Sequence, residues 1–284
     1  MEPRKRNQLS RIKVASAVIA ASCAIAVAGS SAVQAAPAMI VYRAGEKVPE
    51  SELVDLGPPE DLGGTVVSGD PKISARIDYA EGNLLAGVFQ ATRGTVLIDF
   101  PFSEHATILN GEVELTDEWG NSAHLGAGDS YFITQGSVIL WEVHGERVQK
   151  TFFNRTTEDD PPAQMVVYKR HGEVAQSELM DLGPPEDLGG TVVSGDPRIS
   201  ARIDYGDGTA TAGVFQATRG DVLIDFPFTE HATVIEGAVT LTDETGQTAR
   251  LLPGDSYLIQ QDSSIFWHVA RGFVQKSFFN VVQE

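Results

Sequence analysis

Apolar and polar residues alternate over short runs along most of the chain. The pattern predicts strands at Ile73 to Tyr79, Ala86 to Thr92, Val96 to Phe102, Thr107 to Asn110, Val113 to Asp117, Ser122 to Leu125, Ser130 to Thr134, Ser137 to Val143 and Val148 to Phe153. Turn signals separate them at Arg93-Gly94, Asn110-Gly111, Glu118-Trp-Gly-Asn121 and Gly126-Ala-Gly-Asp129. Short strands, glycine turns and no helical periodicity point to an all-β antiparallel sandwich or barrel. Ahead of these runs, Asp55 to Gly64 and Val66 to Pro71 are dense in proline and glycine and read as loop.

The pattern then repeats. Met39-Ile-Val-Tyr matches Met165-Val-Val-Tyr, and a register of 126 holds without a gap to Asn154 and Asn280, with about two-thirds of paired positions identical. The sequence therefore predicts two tandem β-barrel domains from an internal duplication, 39–154 and 165–284. Residues 155–164, polar and acidic with two prolines, form the linker. Two such copies are expected to pack about a pseudo-twofold axis, imitating in one chain the dimer of a single copy. A higher oligomer stays open. A fragment 39–154 is expected to contain every strand of one barrel.

Before the first repeat, Met1 to Lys13 carries five bases and one acid, Val14 to Gly29 is rich in Ala, Val and Ile, and Val33 and Ala35 are small. Residues 1–35 read as a cleaved signal peptide, which predicts a periplasmic or secreted protein with no membrane span after cleavage. Cys23 is the one cysteine and lies in that apolar run, so the mature chain is expected to have neither a disulfide nor a thiol nucleophile. The net charge is −18, and removing the basic leader takes it to −22. A surface so acidic repels phosphate backbones, so nucleic acid is not an expected partner. No glycine-rich loop follows a strand and opens a helix, which leaves nucleotide binding without support.

One stretch occurs once per repeat and carries the candidate chemistry: Phe100-Pro-Phe-Ser-Glu-His105 and Phe226-Pro-Phe-Thr-Glu-His231. Together with Gly94, Ile108-Leu-Asn-Gly111, Val113, Gly128-Asp129, Ile133 and Trp141-Glu-Val143, and their counterparts up to Trp267-His-Val269, it resembles the cupin superfamily. More narrowly it is similar to cupins of unassigned function that include relatives of ureidoglycine aminohydrolase. The resemblance covers the last half of each repeat and implies a jelly-roll barrel, hence a bicupin. It also implies where a metal-binding cupin keeps its ligands: His-x-His, then Glu, then a late His. Here Glu104 and Glu230 keep the glutamate place. The His-x-His places fall on Phe100 and Phe102, or on Ile98 and Phe100, and the late place falls on Ile139. Phe226, Phe228 and Ile265 stand there in the second copy. No metal cofactor is therefore expected. If a divalent metal is held, Glu104, His105, Glu230 and His231 are the residues to hold it.

Alternation predicts which side chains point inward. Phe100, Phe102, Glu104, Ala106 and Ile108 share one face unless Pro101 shifts the register. Trp141 shares a face with Ile139 and Val143, and His105 falls on the face opposite Glu104. Glu104 with Phe100, Phe102 and Trp141, and Glu230 with Phe226, Phe228 and Trp267, then line an apolar barrel mouth holding one acid. Such an acid is a candidate general acid or base, or an anchor for a small-molecule ligand. Three functions fit: binding of a small polar organic molecule with metal-independent acid/base chemistry, a metal-dependent hydrolase, lyase or isomerase, and a structural module whose barrels are filled by side chains. Trp119, His124 and His144 become Thr245, Arg250 and Ala270 in the second copy, so a site needing them exists in one half only.

Overall fold

The computed structural model describes residues 38–283, so the predicted leader lies outside the described residues. The first repeat holds β1 (Met39–Tyr42), β2 (Val54–Gly57), β3 (Thr65–Gly69), β4 (Ile73–Glu81), β5 (Leu84–Asp99), β6 (Ser103–Asn110), β7 (Val113–Asp117), β8 (Ser122–Leu125), β9 (Ser130–Ile133) and β10 (Val138–Arg155). The second repeats the series as β11 (Met165–Tyr168), β12 (Met180–Gly183), β13 (Thr191–Gly195), β14 (Ile199–Gly206), β15 (Ala210–Asp225), β16 (Thr229–Gly237), β17 (Val239–Asp243), β18 (Thr248–Leu251), β19 (Ser256–Ile259) and β20 (Ser264–Val281). Short 3-10 turns, such as Pro59–Leu62, are the only helical elements among the described residues, and no helix is long and apolar enough to cross a membrane.

Two long strands turn each sheet into a barrel. In β5, residues 84–92 pair with β4 and with the end of β10, whereas residues 94–99 pair with β3 and with the start of β10. The register of β10 slips between Val143 and Arg147, and its two halves join β7 on one wall and β6 on the other. A single strand thereby serves both walls, with the bulge as the corner. Gly94 sits at the matching corner of β5 at φ +156°, and a Cβ there would come within 2.8 Å of Pro71. The pattern of apolar runs separated Ala86–Thr92 from Val96–Phe102 at this glycine. The structure makes it a bend inside one strand, not a turn. The proline- and glycine-rich front is likewise not all loop, since it supplies β2 and β3, which pair with β4 and β5.

The barrels exchange their first strands. β1 pairs with β19 of the second repeat, Met39 opposite Ile259 and Tyr42 opposite Ser256, while β11 pairs with β9 of the first, Met165 opposite Ile133 and Tyr168 opposite Ser130. Each ten-stranded sheet thus consists of nine strands of one repeat and one of the other. The sequence repeat and the barrel are offset, so residues 39–154 lack one strand of the first barrel, contrary to the reading from sequence. Reciprocal ion pairs pin the exchange, Arg43 to Asp255 and Lys169 to Asp129, each at 2.8 Å. Between the barrels lies an apolar layer drawn from both repeats, with Phe132 and Phe153 packed on Phe279 at 5.0 and 5.6 Å between ring centroids.

A pseudo-twofold axis passes through this layer. His105 Nδ1 lies 2.8 Å from His231 Nδ1, and Thr107 Oγ1 lies 2.5 Å from Thr233 Oγ1. The outer ring nitrogens meet hydroxyls: His105 Nε2 to Ser277 at 3.0 Å and His231 Nε2 to Thr151 at 2.9 Å. Both rings are fully buried. Burial pushes the His231 imidazole down to about 3, and burial reinforced by the charges of His231 and Lys276 pushes His105 well below the ordinary range. In the unfolded chain both titrate near 6.5, so the folded state loses stability as pH falls from about 6.5 toward 3. For His231 alone, two pH units below 6.5 cost on the order of 3 kcal/mol. Denaturant melts at pH 7 and pH 4.5 should show this loss in the wild-type chain and a smaller one in a His105→Asn, His231→Asn variant. Equal acid losses in the two proteins would rule out the histidine pair as the cause.

Candidate functional site

A cavity of about 160 Å³ lies between the two walls of the first barrel. Its apolar lining comes from both walls and from the front segment: Leu56 and Leu62, Ile77, Phe89, Phe100, Phe102 and Trp141. Phe100 and Phe102 stand in the connection between β5 and β6, not on a strand. Phe100 is fixed there by its N–H donating to the Ser137 carbonyl at 2.9 Å and its carbonyl accepting from Gly136 N–H at 2.7 Å. The two phenyl rings meet edge to face at 6.0 Å. β6 then begins at Ser103 and directs Glu104 into the cavity, with His105 on the opposite side at the interface.

The acid is not alone. Lys150, on β10 opposite Ile108 of β6, extends its ammonium to Glu104 Oε1. The Tyr131 hydroxyl donates to the same oxygen at 2.6 Å and accepts from Lys150 Nζ at 2.7 Å. The lysine and glutamate side chains are only 7% and 3% exposed, so the pair sits in a low-dielectric interior. Aromatic faces surround the ammonium, with the Trp141, Phe89 and Tyr131 rings at 4.9, 5.3 and 5.4 Å from Nζ. Burial lowers the Lys150 ammonium, with the Glu104 charge opposing it, and burial followed by that charge raises the Tyr131 phenol well above its usual range. The second barrel repeats the arrangement: Lys276 reaches Glu230, Tyr257 donates to Glu230 at 2.7 Å, and Trp267 lies 5.1 Å from Nζ.

An apolar mouth with one uncompensated acid, the expectation from sequence, is thus replaced by a carboxylate held by an ammonium and a phenol. Lys150 and Tyr131 are not among the residues expected from sequence to form the site, yet the chain carries a signal for the lysine. Lys150 stands between Val148 and Phe152 on the inward parity of its strand, and Lys276 stands likewise between Val274 and Phe278. The donor set does not fit a transition metal inside the barrel. Phe100, Phe102 and Ile139 offer no ligand atom, Glu104 is already paired with a cation, and His105 is turned away to His231. Glu104, His105, Glu230 and His231 therefore do not converge on one point.

Among the described residues, two buried polar atoms lack a partner at matching positions of both barrels. These are Trp141 Nε1 and Asn154 Oδ1 in the first, and Trp267 Nε1 and Asn280 Oδ1 in the second. Trp141 and Asn154 both line the cavity. At a register of 126 every cavity-lining residue recurs identically in the second repeat except Leu85, which becomes Thr211. Over the repeat as a whole about a third of the positions differ, so the two linings have diverged far less than the chain around them.

Two jelly-roll barrels in tandem, each with an inward glutamate on the strand that follows the Phe-Pro-Phe segment, are the architecture of a bicupin. The EutQ-like cupin domain matches residues 79–152 and 205–278, more than half of the chain, and the chain belongs to that family of cupins. Its fold is similar to that of a protein of unknown function from Pseudomonas syringae pv. tomato, of the DUF861 family, at 20% identity and a TM-score of 0.67 over 86% of this chain and 100% of that one. It is also similar to a cupin 2 conserved barrel domain protein from Leptotrichia buccalis, at 11% identity and a TM-score of 0.50 over 76% of this chain and 92% of that one. No curated protein matches the sequence.

Proposed function

We propose that each barrel binds a small molecule with an apolar, ring-sized body and one hydrogen-bonding end. The observation that carries this reading is the pair of unpartnered atoms on the cavity wall, the Trp141 N–H and the Asn154 carbonyl oxygen. A buried donor and acceptor without partners cost about 1–3 kcal/mol each, and the hydrogen-bonding end of a ligand supplies the missing partner. The volume is comparable to the roughly 150 Å³ apolar cavities that take up benzene. The ligand is thus more apolar than the polar molecule the isolated acid suggested. Lys150, Glu104 and Tyr131 lie at the same polar end and supply proton donors and an acceptor for any acid/base step there.

The metal-dependent hydrolase suggested by the likeness to relatives of ureidoglycine aminohydrolase finds no set of ligands facing into either barrel cavity among the described residues. The basic and apolar leader supports export to the periplasm or beyond. Phenol and benzene test the reading in thermal-shift and calorimetric titrations. Phenol is expected to raise the melting temperature more than benzene, and Trp141→Phe with Trp267→Phe to weaken phenol binding about 5- to 10-fold with little effect on benzene. Failure of both compounds to bind would favour barrels that act as structural modules, and phenol binding indifferent to the tryptophans would overturn the role given to the Trp141 N–H.

A further inference from the structure

The outer wall of the first barrel carries a cluster that the cavity does not use. β7, β8 and β10 lie side by side there, with Glu114 opposite His124 on one flank and opposite Glu142 on the other. His144 follows two residues after Glu142, on the same face and just before the bulge in β10. One ligand atom from each of Glu114, His124 and His144 lies within 4.8 Å of the other two. His144 Nε2 is 3.4 Å from Glu114 Oε2, and His124 Nε2 is 3.6 Å from Glu112 Oε2. The rings are 5.9 Å apart and tilted by only 31°.

We infer that this cluster is a binding site for a divalent cation of the zinc type, held by Glu114, His124 and His144. In a tetrahedral zinc site with bonds of about 2.0–2.1 Å, neighbouring ligand atoms are roughly 3.3–3.4 Å apart. The spacing of His144 and Glu114 already meets that, and His124 closes the remainder by side-chain rotation at an exposed position. Two neutral imidazoles and a carboxylate form a set that zinc accepts, leaving a fourth position for water or for Glu112. Glu142 stands behind the ring, its Oε1 3.6 Å from His144 Nδ1, so that a small side-chain shift lets it accept the Nδ1 proton while Nε2 faces Glu114. Three carboxylates around two imidazoles also give the patch the negative potential that draws a cation.

The second barrel has no equivalent. Thr240, Arg250 and Ala270 stand at the three positions, and an arginine there repels a cation where a histidine would bind it. That asymmetry supplies an internal control. Zinc titrated calorimetrically into the tag-free full-length chain is expected to bind one ion per chain. His124→Ala with His144→Ala should remove this binding without moving the melting temperature of the metal-free protein. Glu142→Gln should weaken it about 10-fold or more. Transferring the cluster to the other barrel by Thr240→Glu, Arg250→His and Ala270→His should raise the stoichiometry to two. Absence of zinc binding by the wild-type chain, or binding unchanged in the double alanine variant, overturns the proposal.

Discussion

Replacing Lys150 with Met is expected to destabilise the protein by about 3–5 kcal/mol, because it leaves Glu104 charged in a low-dielectric interior with only a phenol for company. The expectation follows from the near-complete burial of both side chains and from the convergence of Lys150 and Tyr131 on one carboxylate oxygen. Methionine matches the length of the lysine stem and can rest against the same aromatic faces, so lost packing contributes little. Adding Glu104→Gln to Lys150→Met should restore most of the stability, since a buried ion pair and a neutral replacement of similar volume often differ little. The same pair of substitutions at Lys276 and Glu230 should behave alike. Chemical denaturation of the single and double variants reads the result. A single-variant loss below about 1 kcal/mol would mean that water reaches the pair and that the cavity is wetter than its lining implies.

The second large effect concerns the exchanged strands. A fragment of residues 38–154 keeps β1 but lacks β11, the strand that completes its own barrel. Because Met39–Tyr42 and Met165–Tyr168 match at three of four positions, β1 of one copy can take the place of β11 against β9 of a second copy. The fragment should therefore be a dimer whose midpoint of unfolding depends on concentration. Starting it at residue 43 removes the exchanged strand and should yield monomer with exposed apolar surface, prone to aggregate. Light scattering of both fragments decides. A stable monomer of 38–154 would show that β1 can fold back into its own barrel.

Much of the fold is written in the chain, because a duplicated run of period-two segments with glycine corners has few architectures open to it. Glu104, Phe100, Phe102 and Trp141 were legible as neighbours for the same reason, although the two phenylalanines reach the cavity from a connection and not from a strand. Lys150 and Tyr131 were not. They stand 46 and 27 residues from Glu104, and a lysine on a strand reads as a solvated edge until its parity between Val148 and Phe152 is noticed. The front segment misled for a different reason. Proline and glycine deny it long ladders, yet Leu56 and Leu62 complete the cavity from strands and turns too short to show a period. The strand exchange cannot be read from sequence, since nearly identical strands fit either barrel and only the path of the connecting chain selects between them.

The paired imidazoles at the pseudo-twofold axis have one more consequence. A hydrogen bond between two Nδ1 atoms needs one donor and one acceptor, so two neutral rings that face each other cannot be in the same tautomer. If His105 gives the shared proton, its Nε2 must accept from Ser277, and His231 must then give its Nε2 proton to Thr151; moving the shared proton reverses every bond in the row. In a true homodimer the two directions would be equal in energy and the row would have no polarity of its own. Here one end is a serine that also bonds Ser130, while Ser256 at the other end has no such partner. Fusion of the two copies into one chain has given the proton row a direction.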